Sequence, residues 1–213
     1  MTHLSIGIID YGMGNHASVM HSLKSMGFKV RISADPQVLD RTNILILPGV
    51  GAFPSAMQAL RDCGLVSYLQ QQGEMQRPMI GICLGMQLLT TASYEFGYTL
   101  GLDLIEGKIV PLTASKWHIG WNEIQCLQQD SLIQSSNAQA FYFNHSFTYQ
   151  GADKYKIAIA QHSQTITAVI RSGSIVGLQF HPEKSQVAGR ELLKNLIMGL
   201  FDAKKAIDRS CHS

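Results

Sequence analysis

Cysteine is scarce in this chain: Cys63, Cys83, Cys126 and Cys211 are four of 213 residues. No two of them stand at the short spacings of zinc or redox sites, so neither a metal cluster nor a disulfide framework organises the fold. Charge is also sparse. Charged residues make up 15% of the sequence and the net charge is +2, which excludes the basic footprint of a nucleic-acid binder or a polybasic membrane anchor. Long apolar runs are missing too; none approaches the roughly 20 residues that a membrane-spanning helix needs. The first apolar run, Leu4 to Ile9, stops at Asp10, too short for the core of a secretion signal. Together these absences predict a cytoplasmic, reducing environment. Internal repeats, linkers and low-complexity tracts are absent from the sequence. What remains is 46% hydrophobic, enough for a globular core. We expect one domain over residues 1–202 and a polar, unpatterned tail over 203–213.

Short apolar runs alternate with helical patterns through the first half. Leu4–Ile9, Phe28–Ile32, Asn43–Leu47 and Pro78–Ile82 read as strands. Ala17–Met26, Pro54–Leu60 and Val66–Gln72 read as helices between them. Strands of this kind, apolar on both faces, predict a mostly parallel sheet with helices on each side, an α/β fold. Sites in such sheets form at the carboxyl ends of the strands. Asp10–Asn15, Pro48–Phe53 and Cys83 all fall there. Gly12-x-Gly14 lacks the third glycine of a dinucleotide loop and the lysine of a P-loop, so it reads as a tight turn. From Ile105 the texture changes. Ile105–Leu112, Ile119–Gln125, Ala140–Tyr149, Lys156–Gln161, Thr165–Arg171 and Ser174–Phe180 read as short strands, with a hairpin at Ser172-Gly173. They predict an antiparallel extension of the sheet. A closing helix, Val187–Phe201, carries Leu192, Leu193, Leu196, Ile197 and Leu200 at helical spacing.

Gly81-Ile82-Cys83-Leu84-Gly85 stands out. A buried strand runs into Cys83, and Met86–Ser93 reads as the start of a helix. This is the layout of a nucleophile elbow, with Cys in the nucleophile's place. Glycines two positions either side make room in the sharp turn. The following helix start favours the thiolate. A cysteine ending an apolar strand also fits plain core packing, and the pattern alone leaves both open. A cysteine nucleophile needs a base and the base an orienting carboxylate. His181-Pro182-Glu183, at the end of the last strand, offers both, with Pro182 stiffening their separation. His118 and His145 compete for the role, but neither has a carboxylate two residues on.

The two motifs together, Gly81–Gln87 and Gln179–Glu183, resemble the class I glutamine amidotransferases. Within them the chain is similar to the glutaminase subunits of imidazole glycerol phosphate synthase. Asp10–Asn15, Pro48–Phe53, His118–Asn122 and Glu183–Gln186 carry that likeness. The resemblance spans about residues 4 to 201 and implies a single-domain, three-layer sandwich. It implies that Cys83 attacks the carboxamide of L-glutamine, that His181 shuttles the proton and that Glu183 holds the imidazole. Backbone N–H groups of Leu84 and of the Val50–Gly51 loop would hold the oxyanion. Gln87 and Glu95, with backbone at Ser146 and Phe147, would bind glutamine. No metal or organic cofactor is implied.

Ammonia released into water becomes ammonium, which is no nucleophile, so a partner that takes it up is expected. The resemblance names a (β/α)8-barrel cyclase that works in histidine biosynthesis. It places Asn15, His118, Trp121, Asn122 and Lys184 near the docking face, and Trp117 is a further candidate anchor. The sequence departs from the family pattern at Trp117, where proline is usual, at Asp103, and at Asn144 and Phe147. None of these touches Cys83, His181 or Glu183. The alternative is a paralogous subunit feeding another acceptor, such as a sugar-modifying enzyme. A non-catalytic regulator and a cysteine peptidase or thioesterase are more distant options. Full conversion of a free thiol near pKa 8.5 to thiolate gains about 2 kcal/mol, whereas one oxyanion donor is worth about 3–4 kcal/mol. The Pro48–Phe53 loop is therefore expected to control the rate.

Overall fold

A computed structural model describes residues 4–210, and side chains up to residue 206. Cys211 and the last residues of the expected tail lie outside the described residues. In chain order the elements are β1 (Ser5–Ile9), α1 (His16–Ser25), β2 (Lys29–Ser33), α2 (Pro36–Leu39), β3 (Ile44–Gly49), α3 (Phe53–Asp62), α4 (Leu65–Glu74), β4 (Met79–Cys83) and α5 (Leu84–Leu88). They continue with β5 (Thr90–Ser93), β6 (Thr99–Leu100), β7 (Ile105–Pro111), β8 (His118–Cys126), β9 (Ala140–His145), β10 (Phe147–Gln150), β11 (Lys156–Gln161), β12 (Thr165–Ser172), β13 (Ile175–Leu178) and α6 (Gln186–Ser210).

The large sheet has the order β2-β1-β3-β4-β13-β12-β11-β8-β9. Its first five strands are parallel, and the rest are antiparallel. The expected α/β sheet with an antiparallel extension is thus present. Alternate residues of β1, β3 and β4 feed two separate cores, as the period of two demands. Ile6, Ile8, Ile44, Ile46 and Ile80 pack against Val19 and Leu23 of α1 and Leu192 and Leu196 of α6. Ile9, Leu45, Leu47 and Met79 face the other way, against α3, α4 and the small sheet, through Phe53, Met57, Leu60, Leu65, Ile105 and Ile109. The α6 stripe is buried as its spacing predicts, and each such side chain contributes about 2 kcal/mol of apolar burial. No helix among the described residues is long and apolar enough to cross a membrane.

Four local expectations need correcting. The helix after Cys83 stops at Leu88 rather than running to Ser93. Thr90 and Thr91 are β-branched and favour extended backbone, and β5 pairs with β6 and β7 instead. That forms a second sheet, β10-β7-β5-β6, which the apolar pattern does not announce. The run Ala140–Tyr149 is not one strand. It breaks at Ser146, and its halves pair with different partners, β9 with β8 and β10 with β7. The polar tail is not unpatterned either, since α6 runs on through residue 210. Finally, α2 falls outside the expected elements although Asp35-Pro36 announces it. Pro36 occupies the first turn, and the Asp35 carboxylate accepts from the Gln37 N–H at 2.9 Å, a common helix start.

Candidate active site

Strand register assembles the site. Gly49 of β3 pairs with Cys83 of β4, and Ile82 pairs with Leu178 of β13 on the other side. The Val50–Ala52 loop, Cys83 and the segment from Gln179 to Ser185 therefore leave adjacent strands at the same edge. Asp10–Asn15 leaves β1 at that edge too, and Gly12 takes a positive φ of 83° there, as a tight turn requires.

Cys83 sits at φ 54°, ψ −111°, a conformation costing a non-glycine residue about 1–3 kcal/mol. Three glycines make the turn possible. A Cβ on Gly85 would stand 1.8 Å from the Leu47 carbonyl oxygen. On Gly81 it would stand 2.6 Å from the Gly85 oxygen, and on Gly49 2.8 Å from the Gly85 nitrogen. No side chain fits at any of the three. The elbow's glycine pattern thus has the steric cause expected of it. Cys83 is 7% exposed. Its sulfur lies 3.8 Å from the Asn144 carbonyl oxygen and 4.0 Å from the Gln179 amide nitrogen.

His181 follows β13. Its Nδ1 lies 2.8 Å from Glu183 Oε1, so Nδ1–H donates to the carboxylate and Nε2 is left for the thiol. Burial opposes the charged imidazole, but the Cys83 sulfur and the Glu183 carboxylate outweigh it and raise the His181 pKa to about 10. The backbone of this segment is tied down. His181 N–H donates to the Tyr142 carbonyl at 2.8 Å. The fully buried Ser185 donates to the His181 carbonyl at 2.7 Å and accepts from the Tyr142 N–H at 3.0 Å. Glu183 Oε2 has no hydrogen-bond partner among the described residues.

A cavity of about 270 Å³ joins these parts, lined by Val50, Gly51, Cys83, Leu84, Gln87, Glu95, Asn144, His145, Ser146, Phe147, His181 and Lys184. Every residue named from sequence for nucleophile, base, oxyanion or glutamine contacts lines it except Glu183, which stands behind His181. Val50 is 41% exposed and Gly51 has φ 99°, so this loop is open to solvent on one side. Tyr11 anchors its base by donating to the Pro48 carbonyl at 2.9 Å. Burial, and then the nearby Cys83 sulfur, push the Tyr11 hydroxyl well above its ordinary range, so it stays a donor.

Three groups have roles that the sequence does not signal. Gln179 is fully buried and bonds the Gln87 amide at 3.1 Å, joining Gln87 to the sulfur. Glu95 does more than line the cavity. Its Oε2 accepts from the Phe53 N–H at 2.8 Å, supplying the cap that helix α3 lacks locally and fixing the end of the Val50–Ala52 loop. Burial raises the Glu95 pKa against that bond. The third is a pair of imidazoles. His118 Nδ1 and His145 Nε2 are 3.0 Å apart. Burial first, then His162, lowers His118 to about 4. Burial lowers His145 to about 3, helped by His118, His181 and His162 and opposed by the Phe147 carbonyl.

The residues expected at a docking face separate into two sets. Trp121 is 51% exposed, Ile119 is exposed beside it on one face of β8, and Trp117, just before the strand, is exposed as well. His118 is 2% exposed and points inward, so its side chain is unavailable to a partner. Asn122 is turned toward it. Asn15 caps α1 through the Ser18 N–H at 3.3 Å. Lys184 lies over the Tyr142 ring, 5.9 Å from its centre.

The family model of the class I glutamine amidotransferases matches residues 7–200. The chain belongs to this family. Curated amidotransferase relatives include the imidazole glycerol phosphate synthase subunit HisH of Carboxydothermus hydrogenoformans, 40% identical over 192 residues, with 89% of this chain and 96% of that protein covered. The HisH subunit of Streptococcus sanguinis is 44% identical, with coverage of 88% and 92%. That of Listeria monocytogenes is 39% identical over 98% of both chains. Solved structures share the fold at lower identity. A putative GMP synthase protein from Thermoplasma acidophilum superposes with TM-score 0.73 at 19% identity, covering 98% of this chain and 99% of its own. A protein in the PurLQS structure from Thermotoga maritima gives TM-score 0.75 at 17% identity, with 93% and 100% covered.

Proposed function

We infer that this chain is the glutaminase subunit of an imidazole glycerol phosphate synthase, hydrolysing L-glutamine to L-glutamate and ammonia in histidine biosynthesis. The HisH relatives support the subunit reading. The alternative acceptor, a sugar-modifying enzyme, has no support among them. The observation that carries the chemistry is the His181–Glu183 pair at 2.8 Å beside a cysteine in a strained strand-to-helix turn.

The Cys83 thiolate attacks the carboxamide carbon of glutamine, and the C=O π electrons move onto oxygen. Backbone N–H groups of Leu84 and the Val50–Gly51 loop hold that oxyanion, a contribution of about 3–4 kcal/mol per donor. His181 Nε2–H protonates the leaving nitrogen, ammonia departs and a thioester remains. Water then attacks the thioester while the now neutral His181 removes its proton. Glutamate leaves, and Cys83 returns as the thiolate. Glu183 keeps the imidazole in the tautomer with its proton on Nδ1 and stabilises the cationic form. Gln87, Glu95 and the backbone of Ser146 and Phe147 bind glutamine, with the Glu95 carboxylate facing the substrate's ammonium group.

Ammonia has to reach its acceptor before it is protonated in bulk water, which calls for a bound (β/α)8-barrel cyclase. The exposed face of β8 with Trp121, together with Asn15 and Lys184, forms the docking face on this reading. Such aromatic residues serve as anchors in interfaces. The test is glutamate release by wild type and by Cys83→Ala, each with and without the cyclase. Partner-stimulated release that vanishes in Cys83→Ala is expected. Release that ignores the partner would keep the glutaminase and reject the acceptor. No release from wild type in either condition would overturn the catalytic reading.

A further inference from the structure

We propose that His118 and His145 are positioning residues for glutamine, joined with Asn122 in a proton-ordered file that sets the Ser146–Phe147 turn. This rests on the reading above, in which that turn binds substrate.

The hydrogen bonds leave one arrangement of protons. The Asn122 side-chain nitrogen lies 2.7 Å from the Gln161 carbonyl oxygen and 3.3 Å from His118 Nε2. Its two hydrogens go to these two acceptors, so His118 Nε2 carries none. The His118 proton is then on Nδ1, which donates to His145 Nε2 at 3.0 Å. His145 accepts there, keeps its own proton on Nδ1, and donates to the Phe147 carbonyl at 2.8 Å. The direction is uniform from β8 to the turn. A second proton on either ring would set two N–H groups against each other, and burial keeps both rings neutral.

Packing holds the file in place. The His118 ring is stacked against Phe143 at 4.5 Å and His162 at 4.4 Å between ring centres. His145 is buried and lines the cavity beside His181. The file ends where the chain passes from the large sheet to the small one. There the Asn144 carbonyl faces the Cys83 sulfur at 3.8 Å, and the Phe147 carbonyl faces the Gln87 amide at 3.5 Å. A bond from residue 145 to the carbonyl of 147 holds the intervening Ser146 peptides in one orientation. Those peptides border the space beside Cys83. The file therefore acts on substrate placement and makes no hydrogen bond of its own to Cys83 or His181.

The test uses the full-length protein together with the cyclase, and steady-state glutamate release. His118→Leu removes both nitrogens, and is expected to raise KM for glutamine about tenfold while kcat stays within about threefold, the signature of lost substrate binding. His118→Asn puts an amide N–H where Nδ1 stood, and KM returns to within about threefold of wild type, since one retained hydrogen bond is worth roughly a factor of ten. Alkylation of Cys83 by iodoacetamide, followed on its own peptide, keeps its wild-type rate in both. Should the leucine variant fail to fold, His118→Gln replaces it; its amide reaches past the Nδ1 position, so it raises KM where His118→Asn does not. An unchanged KM in His118→Leu, or equal defects in the Asn and Gln variants, overturns the proposal. Calorimetric titration of glutamine into Cys83→Ala, with and without His118→Leu, separates the two levels. Unchanged affinity overturns the file, whereas a wild type without turnover overturns the glutaminase reading.

Discussion

Gly189→Ala is the most demanding prediction. Gly189 lies in the first turns of α6, and a Cβ there would stand 1.9 Å from the Pro182 carbonyl oxygen and 2.9 Å from Ser185 Cβ. A carbon–oxygen contact settles at about 3.3 Å, so the backbone must yield by roughly 1.4 Å. The atom in the way belongs to the residue between His181 and Glu183, and Ser185 already ties His181 to β9. A misplacement of about 1 Å in reacting groups costs on the order of 100-fold in rate, so kcat should fall about 100-fold, equivalent to about 2.7 kcal/mol. Stability should change less. Overpacking costs about 1–3 kcal/mol, and alanine recovers nearly 1 kcal/mol of helix propensity. Gly199→Ala on the same helix is the control. Its Cβ would meet Leu132 Cδ2 at 2.1 Å, the tip of a side chain that can rotate away. Turnover should be unchanged there. Glutamate-release kinetics and thermal unfolding on both variants make the comparison. A Gly189→Ala enzyme with kcat within about threefold of wild type would refute the steric argument.

Cys83→Gly should abolish turnover and yet raise thermal stability, because glycine accepts φ 54° without the strain; a gain of about 1 kcal/mol would shift Tm by about 2–4 °C in a chain of this size. Glu95→Gln keeps an oxygen for the Phe53 N–H but loses the charge that the proposed function sets against the substrate's ammonium group. KM should rise at least about tenfold with kcat nearly kept, while Glu95→Ala should lower kcat as well by freeing the oxyanion loop; equal kcat in the two variants would deny that link. Stability against urea should fall on both sides of neutrality. His118 and His145, held neutral at about 4 and 3, take up protons on unfolding below about pH 6.5, so each costs about 2 kcal/mol by pH 5. His181, raised to about 10, contributes fully below about pH 6.5 and loses that contribution as pH rises toward 10. Acid sensitivity unchanged in a His118→Asn variant would count against the first arm, and alkaline sensitivity unchanged in His181→Asn against the second.

The sequence is legible where cause and effect are close along the chain. The elbow needs Gly81 and Gly85 within two residues of Cys83, and the imidazole and its carboxylate share one short loop. Strands such as Ile44–Gly49 declare themselves because both faces are apolar. The illegible parts depend on residues far apart. The Glu95–Phe53 bond spans 42 positions and the Gln87–Gln179 bond spans 92. Neither partner carries any local mark of the other. Ser146 breaks a run whose apolar pattern continues smoothly, because its halves find different neighbours only after the second sheet forms. The family resemblance alone places His118 at the docking face, and which face of its alternating strand is covered depends on β9 and His162.

The glycine cluster at positions 49, 81 and 85 has a consequence for how this enzyme can diverge. The turn that carries Cys83 into the cavity is packed so closely around these glycines that it has no room for a methyl group. Selection or design cannot reshape it one substitution at a time. New substrate preferences have to be written on the side chains that line the cavity away from this turn, such as Phe147 and Lys184. The nucleophile stays put while its surroundings on that side vary.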